Sequence, residues 1–259
     1  MDKKYEMLPY DSINDNGITL YRIRALKDIP DINVKKGDLG GYIENENNLS
    51  QDGNAWIYDN AIVCGSARVF GDAKVSDEAY VFCGAMIYDN AMVFGSASVI
   101  GTTCMVYGNA KVSGHAKVQF NAKVYDNAEV SGHALISNSA KVYGNAKVSG
   151  HADVLHNARV FGYATVCDYA SVNNNASVFD NANVSDNANV SGGHVYGNAR
   201  VYERGMVSGN AKVCDNAMVY GHAYVCGEAY VHDDAKVYGK SHVSGSANVC
   251  GNADVSGNA

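Results

Sequence analysis

The stretch NAKVYDNAEVSGHALISNSAKVYGNAKV, residues 121–148, repeats a six-residue unit without a break. Its frame is Ala-x-Val-x-(Gly/Asp)-(Asn/His), with the aliphatic position at Val124, Val130, Ile136, Val142 and Val148. Residues two apart on an extended chain share a side, so Ala and Val point together and the residue between them points away. The strand must be short, because Gly or Asp and then Asn or His follow at once, residues that tolerate positive φ at a corner. A helix is excluded: a six-residue period matches no helical face, and Val and Gly oppose helix. Short strands with a corner every six residues form a coil, and stacked coils pair their backbones in parallel.

Outward from this stretch the same frame runs from Ala55 to Ala259. The aliphatic recurs from Ile57 to Val99, from Val106 to Val190 and from Val195 to Val255, which makes 34 hexads, 31 with Val and three with Ile. Ala stands two residues earlier in 30 of them, Cys104, Gly193, Gly205 and Ser241 being the exceptions. The phase gains one residue near Thr102-Thr103 and loses one near Gly192-Gly193; each slip predicts a local bulge or tightened corner, and the two cancel. The small Ala lets a narrow core close and the Val column fills it.

Composition narrows the function classes. The 259 residues are 47% hydrophobic, which excludes a disordered chain, and no apolar run approaches the ~18 residues of a membrane span. Met1-Asp-Lys-Lys-Tyr-Glu starts without the apolar segment of a signal peptide. Seven cysteines, an odd number without an export signal, point to reduced thiols in the cytoplasm. A net charge of −7 argues against a generic nucleic-acid binder and falls short of a DNA mimic.

The repeat resembles the hexapeptide repeat of left-handed parallel β-helices, an aliphatic with a small residue four later, as in Val112-Ser-Gly-His-Ala116. The resemblance implies an all-β, left-handed parallel β-helix with three hexads per triangular coil, about eleven coils in all for 34 hexads. Residues 1–54 do not repeat. Ile18–Leu26 alternates as a strand or hairpin partner, and Ile43 and Leu49, six apart, begin a distorted first coil. This segment is expected to be a small N-terminal cap over the edge of the β-helix at 55–259. Its stretch YRIRALKDI…VKKGDLGGYIENENNLSQDGNAW is similar to the N-terminus of hexapeptide-repeat proteins common in bacterial and phage genomes, which carry a transferase label given by fold alone.

Dividing the hexads by three assigns outward residues to vertical rows. In one row the aliphatics are followed by Phe70, Tyr88, Tyr107, Tyr125, Tyr143, Phe161, Phe179 and Tyr196, and preceded by Arg68, Met86, Met105, Lys123, Lys141, Arg159, Ser177 and His194. A cationic column thus lies beside an aromatic column. Either the aromatics stack to stabilise the corners, or the row is a binding strip for a planar anionic ligand, nucleic acid or an acidic protein. The row continues as Cys214, His232 and Cys250. A column does not converge on a metal, since its outer thiols are separated by two coil spacings, about 9.6 Å, against Zn–S bonds of about 2.3 Å. No metal site and no cofactor are therefore expected.

His115, His133 and His151, each in Val-Ser-Gly-His-Ala, are where the general base of a hexapeptide acyltransferase would be sought. Asn fills the same position in many other hexads, which reads the histidines as corner residues sharing its tolerance of left-handed backbone. Those transferases interrupt their coils with a loop that builds the acceptor pocket, whereas residues 55–259 contain no insertion longer than one residue. The reading is a non-enzymatic, rigid binding scaffold. Resemblance to phage-borne members implies action on a host defence component by binding or sequestration in the host cytoplasm. The alternatives are an acyltransferase with its site at a subunit interface and a structural or surface-fibre element.

For assembly, the sequence reaches Asn258-Ala259 in mid-hexad with Val249 and Val255 still in phase. An uncapped edge there would expose unpaired backbone and core, and suggests a homodimer through the C-terminal coil. The row Ile62, Tyr80, Leu135, Met206 and Tyr224 offers side-face packing for a trimer instead.

Overall fold

Ala and Val alternating with outward residues produce two-residue strands, and the corner after each turns the chain into the next. The computed structural model describes residues 3–257; Met1-Asp2, at the start of the N-terminal stretch, and Asn258-Ala259, on which the open-edge expectation rests, lie outside the described residues. The protein is an all-β parallel β-solenoid, consistent with the left-handed β-helix read from the repeat. Among the described residues, helical structure is limited to two three-residue 3-10 turns, Pro30–Ile32 and Glu46–Asn48. The chain divides into two compact units, Met1–Asp126 and Asn127–Ala259.

The first unit opens with the antiparallel hairpin of β1 (Tyr5–Asp15) and β2 (Ile18–Ala25), and β2 pairs antiparallel with β3 (Leu39–Ile43). From β3 onward the described strands pair in parallel: Ile43 lies against Val63 and Leu49 bridges to Val69, so the first coil begins at the two aliphatics six apart. The cap covers that coil with side chains as well as backbone. Lys4 is buried, and its Nζ donates to the carbonyls of Ala55 at 2.9 Å and Gly53 at 3.3 Å. Burial pushes this ammonium down to about 8. Tyr5 Oη donates to Leu49 O at 2.7 Å, and Asn48 Nδ2 donates to Ala67 O at 2.8 Å. Carbonyls facing away from the next coil are thus satisfied by side chains.

In the second unit Lys141, Arg159 and Ser177 follow one another in parallel register, as do Leu135, Asp153 and Ser171, and Lys147, Thr165 and Asn183, one from each row. Lys141 N–H donates to Ala158 O at 2.9 Å and Tyr143 N–H to Val160 O at 3.0 Å. The Ala and Val columns are completely buried through most of both units, each buried Val contributing roughly 1.5–3 kcal/mol. The two phase slips are absorbed locally. Met105 pairs with Met86, nineteen residues back, and His194 with Ser177, seventeen back, around the common separation of eighteen. At the shortened corner Gly193 replaces Ala because a Cβ there would lie 2.7 Å from Val207 Cγ1.

The corners correct one detail of the sequence reading. The left-handed residue is the Gly or Asp that opens the pair: Gly114, Gly132 and Gly150 have φ between 67 and 70°, whereas the following His115, His133 and His151 are not in that region. Tolerance of left-handed backbone therefore does not account for those histidines, although each stands at the second central position of its turn, closed for His115 by Ala116 N–H on Ser113 O at 3.3 Å. Asp serves at this place for a second reason. Its Oδ2 accepts the N–H of the left-handed residue one coil on, as Asp77 does from Gly95 at 2.7 Å and Asp233 from Gly251 at 2.8 Å.

Candidate functional site

The aromatic row is a run of two-residue strands in which the first residue points out and the residue after the strand turns onto the corner. In the first unit the outward residues are Arg68, Met86, Met105 and Lys123, in register. Beside them Phe70, Tyr88, Tyr107 and Tyr125 stack with centroids 4.9 Å apart and planes within 3°. In the second unit the outward residues are Lys141, Arg159, Ser177, His194 and Lys212. Here Tyr143, Phe161, Phe179 and Tyr196 stack at 4.9 Å with planes within 4°. All eight rings are half-buried.

This stacking determines what the row presents. Each inner ring has both faces covered by neighbours, so a ligand meets ring edges. The edge is the positive end of the ring quadrupole, and it lies beside the cations. Burial pushes the phenols of Tyr88, Tyr107 and Tyr196 up, keeping them neutral donors. Among the described residues, no salt bridge engages Arg68, Lys123, Lys141, Arg159 or Lys212, and no acidic residue occupies an outward strand position of this row. His194 is held below its ordinary range by burial and by Lys212. In each unit cationic outward residues thus lie beside ring edges and phenols, with acids at corners that follow the rings, Asp89 and Asp126 in the first and Asp180 in the second.

Two further ladders are present, one of which escaped the sequence reading entirely. Tyr202, Tyr220 and Tyr238 stack at 4.8 and 5.1 Å on another face of the second unit. At the corners His133, His151 and Tyr169 stack at 4.7 and 4.8 Å. The column of His133 and His151 was read from the sequence without Tyr169, and the eighteen-residue spacing applied to every row would have added it and the Tyr202 ladder. His115, His133 and His151 are exposed, and the ring of His151 lies sandwiched between its two neighbours. Concavities are shallow and open: a groove of about 790 Å³ runs between the corner amides of Asn181, Asn198 and Asn216 and the outward Asn183, Arg200 and Tyr202.

Of the side-face row, Ile62 and Tyr80 pack beneath the N-terminal hairpin against Leu20, Tyr42 and Cys64, and Tyr80 Oη donates to Asp15 Oδ2 at 3.0 Å. Met206 is exposed and Tyr224 bonds Ser208 Oγ at 2.8 Å. Val249 and Val255 are half-buried where Val237 is fully buried. Burial pushes the thiols of Cys64 up to about 11 and of Cys104 and Cys167 up to about 12, which makes them poor nucleophiles. No helix among the described residues is long and apolar enough to cross a membrane.

A family model described as the YdcK beta solenoid repeat matches residues 85–101. The matched segment holds the three consecutive hexads of Ile87, Val93 and Val99, so the similarity concerns a single coil. No curated protein matches the chain.

Proposed function

We propose that the protein is a rigid binding scaffold whose aromatic and cationic row receives a carboxylate-rich protein surface. The observation that carries this reading is the mutual stacking of the rings. With their faces covered they offer no platform for bases, which the binding of single-stranded nucleic acid uses. Their edges and phenol O–H groups instead present donors and positive potential in each unit, beside Arg68 and Lys123 in the first and Lys141, Arg159 and Lys212 in the second. That complements acidic side chains and steers their approach. The hexapeptide reading of the repeat, and the phage-borne role that its resemblance implies, belong to the same proposal: the partner is a host protein held or sequestered at this face.

The experiment is affinity capture from bacterial lysate with the full chain and with the variant Lys141→Glu/Arg159→Glu/Lys212→Glu, followed by quantitative mass spectrometry. The wild type is expected to retain acidic proteins that the variant loses. Retention of the same proteins by both would remove this face from the reading.

A further inference from the structure

The row below the aromatic ladder ends in Cys214, His232 and Cys250, and as a straight column these side chains do not converge on one point. The structure makes a different grouping, from one corner and the coil that follows it. A ring nitrogen of His232, a carboxylate oxygen of Asp233 and Sγ of Cys250 all lie within 4.8 Å of one another. His232 Nδ1 and Asp233 Oδ2 are 3.3 Å apart. Two ligand atoms bound to one zinc ion at about 2.0–2.2 Å in tetrahedral geometry would stand about 3.3–3.5 Å apart.

Each group is held by its surroundings. The imidazole is stacked on Tyr230 with centroids 4.3 Å apart, and its Nε2 lies 2.9 Å from Asn248 Oδ1. An acceptor at Nε2 draws the ring proton there and leaves the Nδ1 lone pair directed at the carboxylate, the arrangement in which an outer partner prepares a histidine to ligate. Asp233 is fixed at its left-handed corner, φ 59°, by the Gly251 N–H on its Oδ2. Nδ1 and Oδ2 face each other at a distance that a ring proton or a metal ion can bridge, and the adjacent Cys250 supplies a soft third ligand.

We propose that His232, Asp233 and Cys250 form a binding site for a divalent transition-metal ion of zinc type, which links the coil of His232 to the coil of Cys250. Binding displaces the thiol proton of Cys250 to solvent, so that an S–H bond breaks as the metal–thiolate bond forms. Three protein ligands leave a fourth position for water.

The test is titration of the reduced, metal-free full chain with Co²⁺, followed by absorbance. The expected result is a thiolate-to-cobalt charge-transfer band that saturates at one ion per chain and is abolished by Zn²⁺ or by Cys250→Ser. Asn248→Ala, which removes only the partner of the imidazole, should weaken binding by about 10–100-fold. Cys226 Sγ lies 3.2 Å from His242 Nε2 and forms the competing Cys–His pair, so Cys226→Ser should leave the titration unchanged. Absence of the band, its survival in Cys250→Ser, or its loss in Cys226→Ser would overturn the assignment. A proton alone bridging His232 and Asp233 gives the first of these outcomes.

Discussion

His194 illustrates how a single position on the binding row reports on its surroundings. It stands between Ser177 and Lys212 in a row otherwise rich in Lys and Arg, is half-buried, and faces Lys212 one coil on. Burial and then the lysine hold its folded value below the ordinary 6.5. As pH falls through 6.5 the unfolded chain takes up a proton that the folded chain still refuses. Folding then releases that proton, and stability declines with acidification until the folded imidazole also titrates. Urea unfolding of the wild type and of His194→Gln between pH 7.5 and about 5 should show the wild type losing stability more steeply below 6.5. Parallel curves would show that this imidazole is not disfavoured as a cation. At the same scale, the corner acids explain a feature of composition: an Asp at the left-handed place accepts an N–H from the next coil, as Asp180 does from Gly197 at 3.2 Å. Part of the negative net charge is thus tied to the corners of the repeat itself, Asp180 following Phe179 of the binding row.

The strand with its corner aromatic is the element from which the row is assembled. Phe161 stacks on Tyr143 and on Phe179, each at 4.9 Å. Phe161→Ala removes two aromatic pairs, each worth about 0.5–1.5 kcal/mol beyond burial, and should lower stability by about 1–3 kcal/mol on that account alone. Phe161→Tyr keeps both stacks and should be nearly neutral, since Tyr occupies the equivalent place at Tyr143 and Tyr196. Chemical denaturation of the two variants checks this; equal stability of Phe161→Ala and the wild type would deny the ladder a structural role. The ladder was legible as a column of aromatics because ring identity and spacing are written in the chain. That the rings stack was one of two readings the spacing allowed; the choice rests on side-chain torsions, which spacing alone does not fix. The cap shows the same division. The alternation of Ile18–Leu26 announced β2, whereas the contacts of Lys4 with carbonyls some fifty residues away have no local pattern to announce them.

At the scale of the whole molecule, the architecture was legible because one rule, repeated, dictates both core and corner. Even the two slips were readable, and the structure absorbs them in the pairings of Met105 with Met86 and His194 with Ser177. The candidate sites were less legible for the same reason. Vertical rows place residues one coil apart, but a cluster such as His232, Asp233 and Cys250 combines a row with its neighbouring corner, and following rows singly passes it by. The central claim is that the row of cations and ring edges binds carboxylate-rich partners through electrostatics. It is tested most directly by fluorescence anisotropy of labelled polyglutamate titrated with the full chain over a series of salt concentrations. The account predicts saturable binding to the wild type that weakens steadily as salt rises, and its loss in Lys141→Glu/Arg159→Glu/Lys212→Glu. Affinity that is unchanged by salt, or equal in the wild type and the variant, would contradict it.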